Sequence, residues 1–323
     1  MKAVIYKKYG PPENLQFVEI DKPLPKENEV LIKVHASSLN AFDWHMLTAD
    51  IFFVRLFGGL TKPRTPILGA DVAGTVEAIG SSVVQFKPGD TVFGDLAMSG
   101  NGTLCEYTIA PENRLHKVPK GVSLDDAAAV PMAGVTALQA LREQGNISKG
   151  KKVLINGASG GVGTFAIQLA KVFEAEVTAV CSTQNQKLAK DLGADFTIDY
   201  KKEDFTKNEK KYDIILGVNG YHPLKDYRDS LTDQGVYVAI GGSPKQMSEI
   251  RMQGPFFSSK KGKKFTALFT QPKGQDLEFL ISLIKEKKIK VVIDKKFKLH
   301  EIIEAFHYLG KGHAQGKVIV NVN

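Results

Sequence analysis

The chain has 323 residues, of which 43% are hydrophobic and 24% are charged, a composition typical of a globular protein with a sizeable core. At roughly 150 residues per domain, this length indicates about two domains. No segment approaches the roughly 18 uninterrupted apolar residues of a membrane span, so we do not expect the chain to be an integral membrane protein. The net charge of +8 comes from lysines spread along the chain. Because no aromatic or zinc-finger signature of nucleic-acid binding accompanies them, they indicate a solvated surface and no nucleic-acid partner.

The first residues, MKAVIYKKYGPPENL, predict a strand and a turn. They lack the apolar region of a signal peptide and the amphipathic, Arg- and Ser-rich character of a transit peptide. Two cysteines, Cys105 and Cys181, are too few for a disulfide framework or a structural zinc cluster. We therefore expect a cytoplasmic protein.

Short β-branched runs dominate residues 1–122. VLIKVHASSLN alternates apolar and polar residues, and VAGTVEAIG and DTVFGD are closed by glycine or aspartate. A Pro-Gly-Asp turn lies between two apolar segments in FKPGDTVFG. This pattern predicts a β-rich domain built as a meander or barrel.

Residues 123–270 alternate strands and helices. An Ala/Leu-rich helix, AAAVPMAGVTALQALREQG, precedes the strand KVLINGA, the helix TFAIQLAKVFEA and the strand EVTAVCS, and the alternation continues to GVYVAIGG. Continuous apolar strands separated by helices predict an α/β domain with a doubly wound parallel sheet. The last segment, 271–323, adds two helices, DLEFLISLIKEKK and HEIIEAFHYLG, and a final strand, KVIVNV.

A glycine-rich turn lies between the first strand and helix of the α/β domain, in VLINGASGGVGTFAIQLAK. Gly160 and Gly161 allow the backbone to approach a pyrophosphate, and Gly163 allows the helix to pack close to the strand. Ser159 and Val162 complete the turn. A pyrophosphate bound there would face the free N–H groups of the helix N-terminus. We interpret the AxGGVG pattern as a dinucleotide site.

The end of the second strand indicates which dinucleotide binds. An NAD site usually has Asp or Glu about 20 residues after the fingerprint. Here the side chains in that region carry two hydroxyls, an amide and an ammonium, which are groups that can bind a 2′-phosphate. They belong to Ser182, Thr183, Asn185 and Lys187. NADP(H) is therefore the predicted cofactor. Tyr200 closes the third strand, where it either flanks the adenine or packs at the strand end.

The chain resembles a known enzyme family over essentially its whole length. Five segments carry this resemblance: LGADVAG, FKPGDTVFG, GASGGVG, GADFTIDY and GHAQGKVIV. It resembles the medium-chain dehydrogenase/reductase superfamily, in its zinc-independent quinone oxidoreductase group, and is most similar to chloroplast-envelope-type quinone and alkenal reductases. The resemblance implies a GroES-like catalytic domain over 1–122, a Rossmann NADP(H)-binding domain over 123–270, a segment 271–323 that returns to the catalytic domain, and a homodimer.

Zinc-dependent members of the superfamily bind a catalytic zinc with Cys, His and Cys. At the matching positions this chain has Asn40, Ala70 and Met132, none of which is a normal zinc ligand. We therefore expect no metal. Without zinc to stabilise an alkoxide, the plausible reaction is hydride transfer from NADPH to a quinone or an enone, whose negative charge delocalises onto an oxygen.

Three residues of SLNAFDWH are the candidate catalytic residues. In relatives, the residues matching Asn40 and Asp43 line the floor of the substrate pocket, where Asn40 can donate to a substrate carbonyl and Asp43 orients its neighbours. A hydrogen-bonded turn is the alternative for both. His45 stands where some quinone reductases have a tyrosine, and it can protonate the enolate; an exposed surface histidine is the alternative. Aromatic residues nearby can form an apolar wall for a small hydrophobic electrophile: Phe42, Trp44, Phe52, Phe53 and Phe57.

The other cofactor candidates lie in three groups. Thr136 is expected to contact the nicotinamide. At the carboxyl ends of later strands, where doubly wound sheets bind ligands, stand Asn219, Gly241, Gly242, Phe269 and Thr270. Lys317, in AQGK, resembles a family lysine or arginine near the cofactor phosphates. An ordinary surface lysine is an equally good interpretation.

Two other functions remain open. One is a zinc-free alcohol or ketone oxidoreductase. The other is a non-catalytic NADPH-binding protein with a regulatory, structural or RNA-binding role, since the fingerprint binds a cofactor without performing chemistry.

The sequence leaves any peripheral membrane attachment, through IFFVRLFGGL, undetermined.

Overall fold

The computed structural model describes residues 1–97, 99–100, 102–241, 244–258 and 262–322. These form two compact units, one made of residues 1–133 and 272–323, the other of residues 134–271. The chain therefore leaves the first unit once and returns to it. Within the described ranges, no helix is long and apolar enough to cross a membrane.

The strands, in chain order, are β1 (Lys2–Tyr6), β2 (Leu15–Glu19), β3 (Glu29–Leu39), β4 (Asp71–Ile79), β5 (Thr91–Asp95), β6 (Tyr107–Pro111), β7 (Leu115–Lys117), β8 (Lys152–Asn156), β9 (Glu176–Cys181), β10 (Phe196–Asp199), β11 (Tyr212–Gly217), β12 (Leu231–Ala239), β13 (Lys264–Ala267), β14 (Ile293–Lys298) and β15 (Lys317–Asn321). The helices are α1 (Ala41–Thr48), α2 (Phe52–Gly58), α3 (Leu124–Ala129), α4 (Pro131–Gln139), α5 (Gly161–Val172), α6 (Gln186–Asp191), α7 (Leu224–Ser230), α8 (Pro244–Ser258), α9 (Gly274–Lys285) and α10 (Ile302–Gly310).

The first unit is built on a sheet with the strand order β14-β15-β3-β4-β5-β7, with β6 also paired to β3. The long strand β3 is its centre, and Val30, Ile32 and Val34 of that strand are fully buried, as their alternation predicts. Strand β15 pairs antiparallel with β3, with Val318 opposite Leu39. This pairing brings the start of β15 beside the end of β3, where the candidate catalytic residues begin.

The second unit has a parallel sheet with the strand order β10-β9-β8-β11-β12-β13. This is the doubly wound order in which ligands bind at the carboxyl ends of the strands, where the order reverses. Here that switch point lies between β8 and β11. The β8 residues Val153, Leu154 and Ile155 are fully buried, as expected of a parallel strand covered on both faces. The predicted fold class is confirmed.

Helix α3 marks a difference from the predicted domain boundary at residue 122. It belongs to the first unit, because its face of Ala127, Ala128 and Ala129 is fully buried and the helix packs against β3, β4 and β15. The carboxylate of Asp125 also accepts a hydrogen bond from Asn321 Nδ2, at 2.8 Å. Small alanines allow this close packing on a sheet, whereas their helical spacing alone does not indicate which domain they join.

Candidate active site

The glycine-rich turn of the second unit is held in place by its backbone. Gly157 adopts a φ of +94°, a conformation that favours glycine, and its N–H and that of Ala158 donate to Val180 O of β9 at 3.2 and 3.1 Å. A Cβ on Gly163 would lie 2.3 Å from Gly157 O. The start of α5 therefore packs directly on the turn, as the fingerprint predicts.

Gly160 differs from Gly163 because it faces open space. A Cβ there would meet no heavy atom nearer than Gly157 O at 3.9 Å. Gly160 is also the N-cap of α5, without a side-chain cap, so the first N–H groups of the helix, at Gly161, Val162 and Gly163, have no acceptor within the helix. An open space facing free N–H groups at a positive helix end fits a pyrophosphate.

The residues after β9 lie against this turn. Asn185 is buried and donates from Nδ2 to Ser159 Oγ at 2.9 Å. Its Oδ1 is buried without a hydrogen-bond partner among the described residues, and a buried acceptor of this kind calls for a donor. A ribose or phosphate hydroxyl would provide one. Ser182 is buried beside it, so the structure brings together the turn and the predicted phosphate-binding residues.

The lysine and tyrosine of that group lie further out. The Lys187 ammonium is exposed and pairs with the Asp191 carboxylate at 2.6 Å, so it offers mobile charge rather than a fixed contact. Tyr200 follows β10 directly, and its side chain is 53% exposed. This exposure fits a side chain that can flank a ligand better than it fits a tyrosine packed at the strand end.

Sequence reasoning missed Asp199, the last residue of β10. Its Oδ2 accepts a hydrogen bond from Thr183 Oγ1 at 2.6 Å, and its Oδ1 accepts one from the backbone N–H of Lys201 at 3.1 Å. The hydrogen bond from Thr183 lowers the pKa of this carboxyl. The signal was available: Asp199 ends the third strand, one residue before Tyr200, and parallel strands end at the same sheet edge.

Other predicted cofactor residues lie at the carboxyl ends of the strands. Asn219 lies beside the turn, since its N–H donates to Asn156 O at 3.1 Å. The hydroxyls of Thr136 and Thr270 are 3.1 Å apart, and Phe269 is 75% exposed after β13. Gly241 donates from its N–H to Gly217 O at 3.2 Å, and Gly242 lies outside the described residues.

In the first unit, Asn40 is the N-cap of α1 and connects three elements. Its backbone N–H donates to Asp43 Oδ2 at 2.8 Å. Its side-chain Nδ2 donates to Ser38 O at 3.2 Å and to Asp71 Oδ2 at 2.9 Å. Both amide hydrogens thus already have acceptors, so the hydrogen-bonded turn accounts for Asn40 as it stands, and donation to a substrate stays a prediction.

Lys317 lies elsewhere than expected. Its side chain is 2% exposed, and its ammonium donates to Asn40 Oδ1 and to Leu39 O, the latter at 3.4 Å. Asp71 Oδ2 is 3.6 Å from the same ammonium. An ammonium enclosed in this way is not available to a cofactor phosphate, which corrects the prediction for this residue. The cause is the β15–β3 pairing, which turns Lys317 into the unit instead of toward the surface.

Three carboxyls share this buried region. Asp71 and Asp43 are fully buried and Asp95 is 9% exposed, and Asp71 stands opposite Asp95 in the β4–β5 pairing. Burial, together with the nearby Asp71 carboxylate, raises the pKa of Asp43 to about 7, although the hydrogen bond from the Asn40 N–H and the charge of Lys317 act to lower it. Burial, with the charge of Asp71, also raises the pKa of Asp95. Burial lowers the pKa of Lys317. We call Lys317, Asn40, Asp43, Asp71 and Asp95 the buried charge cluster.

His45 lies on α1, one turn beyond Asn40. Its Nδ1 is 2.7 Å from Asp50 Oδ1, and its side chain is partly exposed. A carboxylate on one ring nitrogen fixes the tautomer and leaves the other nitrogen for a second partner. Trp44 lies against α10, where a Cβ on Gly310 would come within 2.4 Å of its ring. Phe57 is 56% exposed, and the side chains of Phe52 and Phe53 lie outside the described part.

The three positions that match zinc ligands are close to the buried charge cluster. Asn40 belongs to the cluster, Ala70 is fully buried, and Met132 donates its backbone N–H to Asp71 Oδ1 at 3.0 Å. Across the described ranges, no group of three or more His, Cys, Asp or Glu has an arrangement that could hold a metal ion.

Comparisons with known proteins agree with this architecture. A family model for the alcohol dehydrogenase GroES-like domain matches residues 26–120, and one for a zinc-binding dehydrogenase matches residues 192–320. The chloroplast envelope quinone oxidoreductase homolog of Arabidopsis thaliana is 37% identical over 335 residues, covering 99% of this chain and 98% of that protein.

Two further proteins extend the comparison. The 2-methylene-furan-3-one reductase of Solanum lycopersicum is 35% identical over 341 residues, covering 99% of this chain and 79% of that protein. The solved structure of a quinone oxidoreductase from Coxiella burnetii is 31% identical, with a TM-score of 0.87 and coverage of 100% of this chain and 99% of that one. The chain belongs to the medium-chain dehydrogenase/reductase superfamily, in its quinone oxidoreductase group.

Proposed function

We propose that the protein is a zinc-independent, NADPH-dependent reductase of quinones or α,β-unsaturated carbonyl compounds. The observation that carries the proposal is the glycine-rich turn, where Gly160 leaves open space in front of the free N–H groups of α5. The names of two relatives, a quinone oxidoreductase homolog and a 2-methylene-furan-3-one reductase, support the two substrate classes.

The second unit would hold the dinucleotide. The N–H groups of Gly161 to Gly163 would bind the pyrophosphate, and the unpartnered Asn185 Oδ1 would accept from a hydroxyl of the adenosine half. When bound, NADPH would supply the hydride. The chain's own task is to fix the cofactor and to exclude water from the reacting face.

The choice of NADPH over NADH rests on the charges at the ends of β9 and β10. Ser182 offers a hydroxyl, whereas the Thr183 hydroxyl already donates to Asp199, and the exposed Lys187 ammonium pairs with Asp191. The Asp199 carboxylate would repel a 2′-phosphate, but it is engaged by Thr183 and the Lys201 backbone, and Lys202 lies 3.8 Å from it. Of these contacts only the Lys202 ammonium offsets the charge of Asp199, so the proposed preference for NADPH rests on the Ser182 hydroxyl and on the Lys187 and Lys202 cations.

Zinc independence is supported by the donor set of the first unit. Asn40, Ala70 and Met132 offer an amide, a methyl group and a thioether, which is not a set that zinc selects. In the reduction of an enone or quinone, negative charge develops on a substrate oxygen and needs hydrogen-bond donors. His45, oriented through Nδ1 by Asp50, is the candidate proton donor, as the imidazolium and through Nε2, to the oxygen or to the α-carbon of the enolate. Asp43 orients Asn40.

The proposal carries expectations about partners and location. We propose a homodimer in the cytoplasm that acts on a small hydrophobic electrophile and does not bind nucleic acid or span a membrane. The two cysteines, Cys105 and Cys181, are free and buried, which suits a reducing compartment.

The test follows nicotinamide absorbance while the purified protein reduces a panel of quinones, 2-alkenals and enones. NADPH and NADH are run in parallel, each with and without a chelator. We expect chelator-resistant turnover with NADPH preferred. Turnover abolished by the chelator would contradict zinc independence, and turnover confined to alcohols or simple ketones would indicate the other oxidoreductase function. Cofactor binding without turnover of any acceptor would favour a non-catalytic NADPH-binding protein.

A further inference from the structure

Lys317 is the first residue of β15, and its surroundings are set by strand pairing. Since Val318 lies opposite Leu39, the Lys317 side chain reaches the end of β3 and the start of α1. There the ammonium contacts the Leu39 carbonyl, the Asn40 side-chain carbonyl and, at 3.6 Å, the Asp71 carboxylate. These contacts join β15, β3, β4 and α1 at one point.

Stability alone does not account for a cation at this place. Removing an ion from water is costly, and a protein in which a buried ion pair is replaced by apolar residues of similar volume is often as stable as the original or more stable. Here the ammonium is 2% exposed and Asp71 is fully buried. Such a pair is best explained by the arrangement that it specifies.

That arrangement is the orientation of the Asn40 amide. Because Oδ1 of Asn40 accepts from Lys317, its Nδ2 is directed to Ser38 O and Asp71 Oδ2. A rotated amide would place N–H groups against the ammonium and the carbonyl oxygen against the carboxylate. Asn40 is the N-cap of α1, the helix that carries Asp43 and His45. Lys317 therefore holds the segment on which all three candidate catalytic residues lie.

We propose that Lys317 is a positioning residue for the reduction, and that its fixed positive charge holds Asn40 and the first turn of α1 where zinc-dependent relatives use a metal-bound residue. This inference rests on the proposed reductase function. It assigns to Lys317 a role inside the first unit and none in binding the cofactor phosphates.

The test compares variants of the buried pair with those of an exposed pair in the same unit. K317M alone leaves buried carboxylates uncompensated, so the main variant is K317M/D71N, which removes both charges. K317R restores a cation. The matched control is K22M/E77Q, since Lys22 and Glu77 form a surface ion pair at 2.6 Å with side chains 39% and 40% exposed.

Two readouts are measured on each folded variant. The first is kcat and KM for NADPH with the best acceptor. The second is acrylamide quenching of Trp44, the one tryptophan of the chain, whose backbone N–H donates to Asn40 O at 3.3 Å. Trp44 therefore reports the position of α1 in the cofactor-free protein, whether or not turnover is observed.

For K317M/D71N we expect kcat to fall about tenfold or more with KM for NADPH nearly unchanged, and quenching of Trp44 to increase. K317R should recover part of kcat, and the control should match the wild type. Unchanged kcat and unchanged quenching in the folded double variant would overturn the proposal. So would a raised KM for NADPH with unchanged kcat, because that result indicates phosphate binding. A wild type that reduces no acceptor would reject the reductase function, and the positioning role with it; the quenching would then show only whether Lys317 holds α1.

Discussion

The buried carboxyl of Asp43 makes the stability of the protein depend on pH. Its Oδ1 is buried without a partner among the described residues. The charged groups that face it are Asp71 on β4 and Lys317 on β15, with Tyr6 of β1 also nearby. Burial raises its pKa to about 7, whereas an unfolded aspartate titrates near pH ~3.9. The folded state therefore binds the proton more tightly than the unfolded state.

From this linkage we predict that Asp43 contributes stability that is full below about pH 4 and is lost as the pH rises to about 7. Asp43→Asn removes the titration, so the decrease in the free energy of unfolding between pH 5 and pH 8 should shrink by on the order of a few kcal/mol. Urea unfolding at the two pH values measures this. Glu77→Gln, at an exposed carboxylate that pairs with Lys22 and not with a histidine, is the control, and an equal pH dependence in wild type and Asp43→Asn would contradict the prediction.

At the scale of elements, two glycines of one turn separate stability from binding. Gly160→Ala adds a methyl group to open space at a φ of −79°, so the fold should tolerate it. The same methyl group occupies the space assigned to the pyrophosphate, and the Kd for NADPH should rise about tenfold or more.

Gly163→Ala should behave in the opposite way. Its methyl group would lie 2.3 Å from Gly157 O and 2.6 Å from Ala158 backbone atoms, and forced overpacking costs roughly 1–3 kcal/mol. Thermal unfolding and a fluorescence titration with NADPH, run on both variants, distinguish the two effects. A Gly160→Ala protein that binds NADPH normally would exclude this turn as the pyrophosphate site.

The sequence predicted those elements whose pattern is local. The alternation of apolar strands and helices after residue 123, and the glycines of the turn, are short-range signals, and the structure has the corresponding parallel sheet and helix start. The position of Lys317 was not predictable in this way. Its partners Leu39 and Asn40 are 278 and 277 positions away in the chain, and only the β15–β3 pairing decides that the side chain points inward. The unit to which α3 belongs was not predictable for a similar reason, since its buried face packs against β3, β4 and β15, which lie far from it in the chain.

At the scale of the whole molecule, cofactor binding should stabilise the folded protein. NADP⁺ at about 100 times its Kd adds about 2.7 kcal/mol to the free energy of unfolding if only the folded state binds it. We expect NADP⁺ to raise Tm more than NAD⁺ at equal concentration, and a chelator to leave Tm unchanged. Differential scanning calorimetry measures both, with Gly160→Ala as the variant in which the shift should fall to about half or less, since a tenfold higher Kd leaves about 1.4 kcal/mol of stabilisation at the same concentration. Equal shifts with the two dinucleotides would argue against the phosphate-binding role of Ser182, Thr183 and Lys187.

The first unit is discontinuous, because residues 272–323 complete a sheet that residues 1–133 begin. During synthesis, the second unit is contiguous and can fold as soon as it leaves the ribosome. Strand β3 can pair earlier with β4 and β6, but its end at residues 36–39 lacks the β15 partner, and until residue 317 emerges Asp71 lacks the Lys317 ammonium beside it. Strand β15 therefore completes the pairing of β3 and delivers the ammonium of the buried charge cluster in the same late event. A ribosome stalled before β15 should expose a nascent chain with a finished second unit and an open, acid-lined first one.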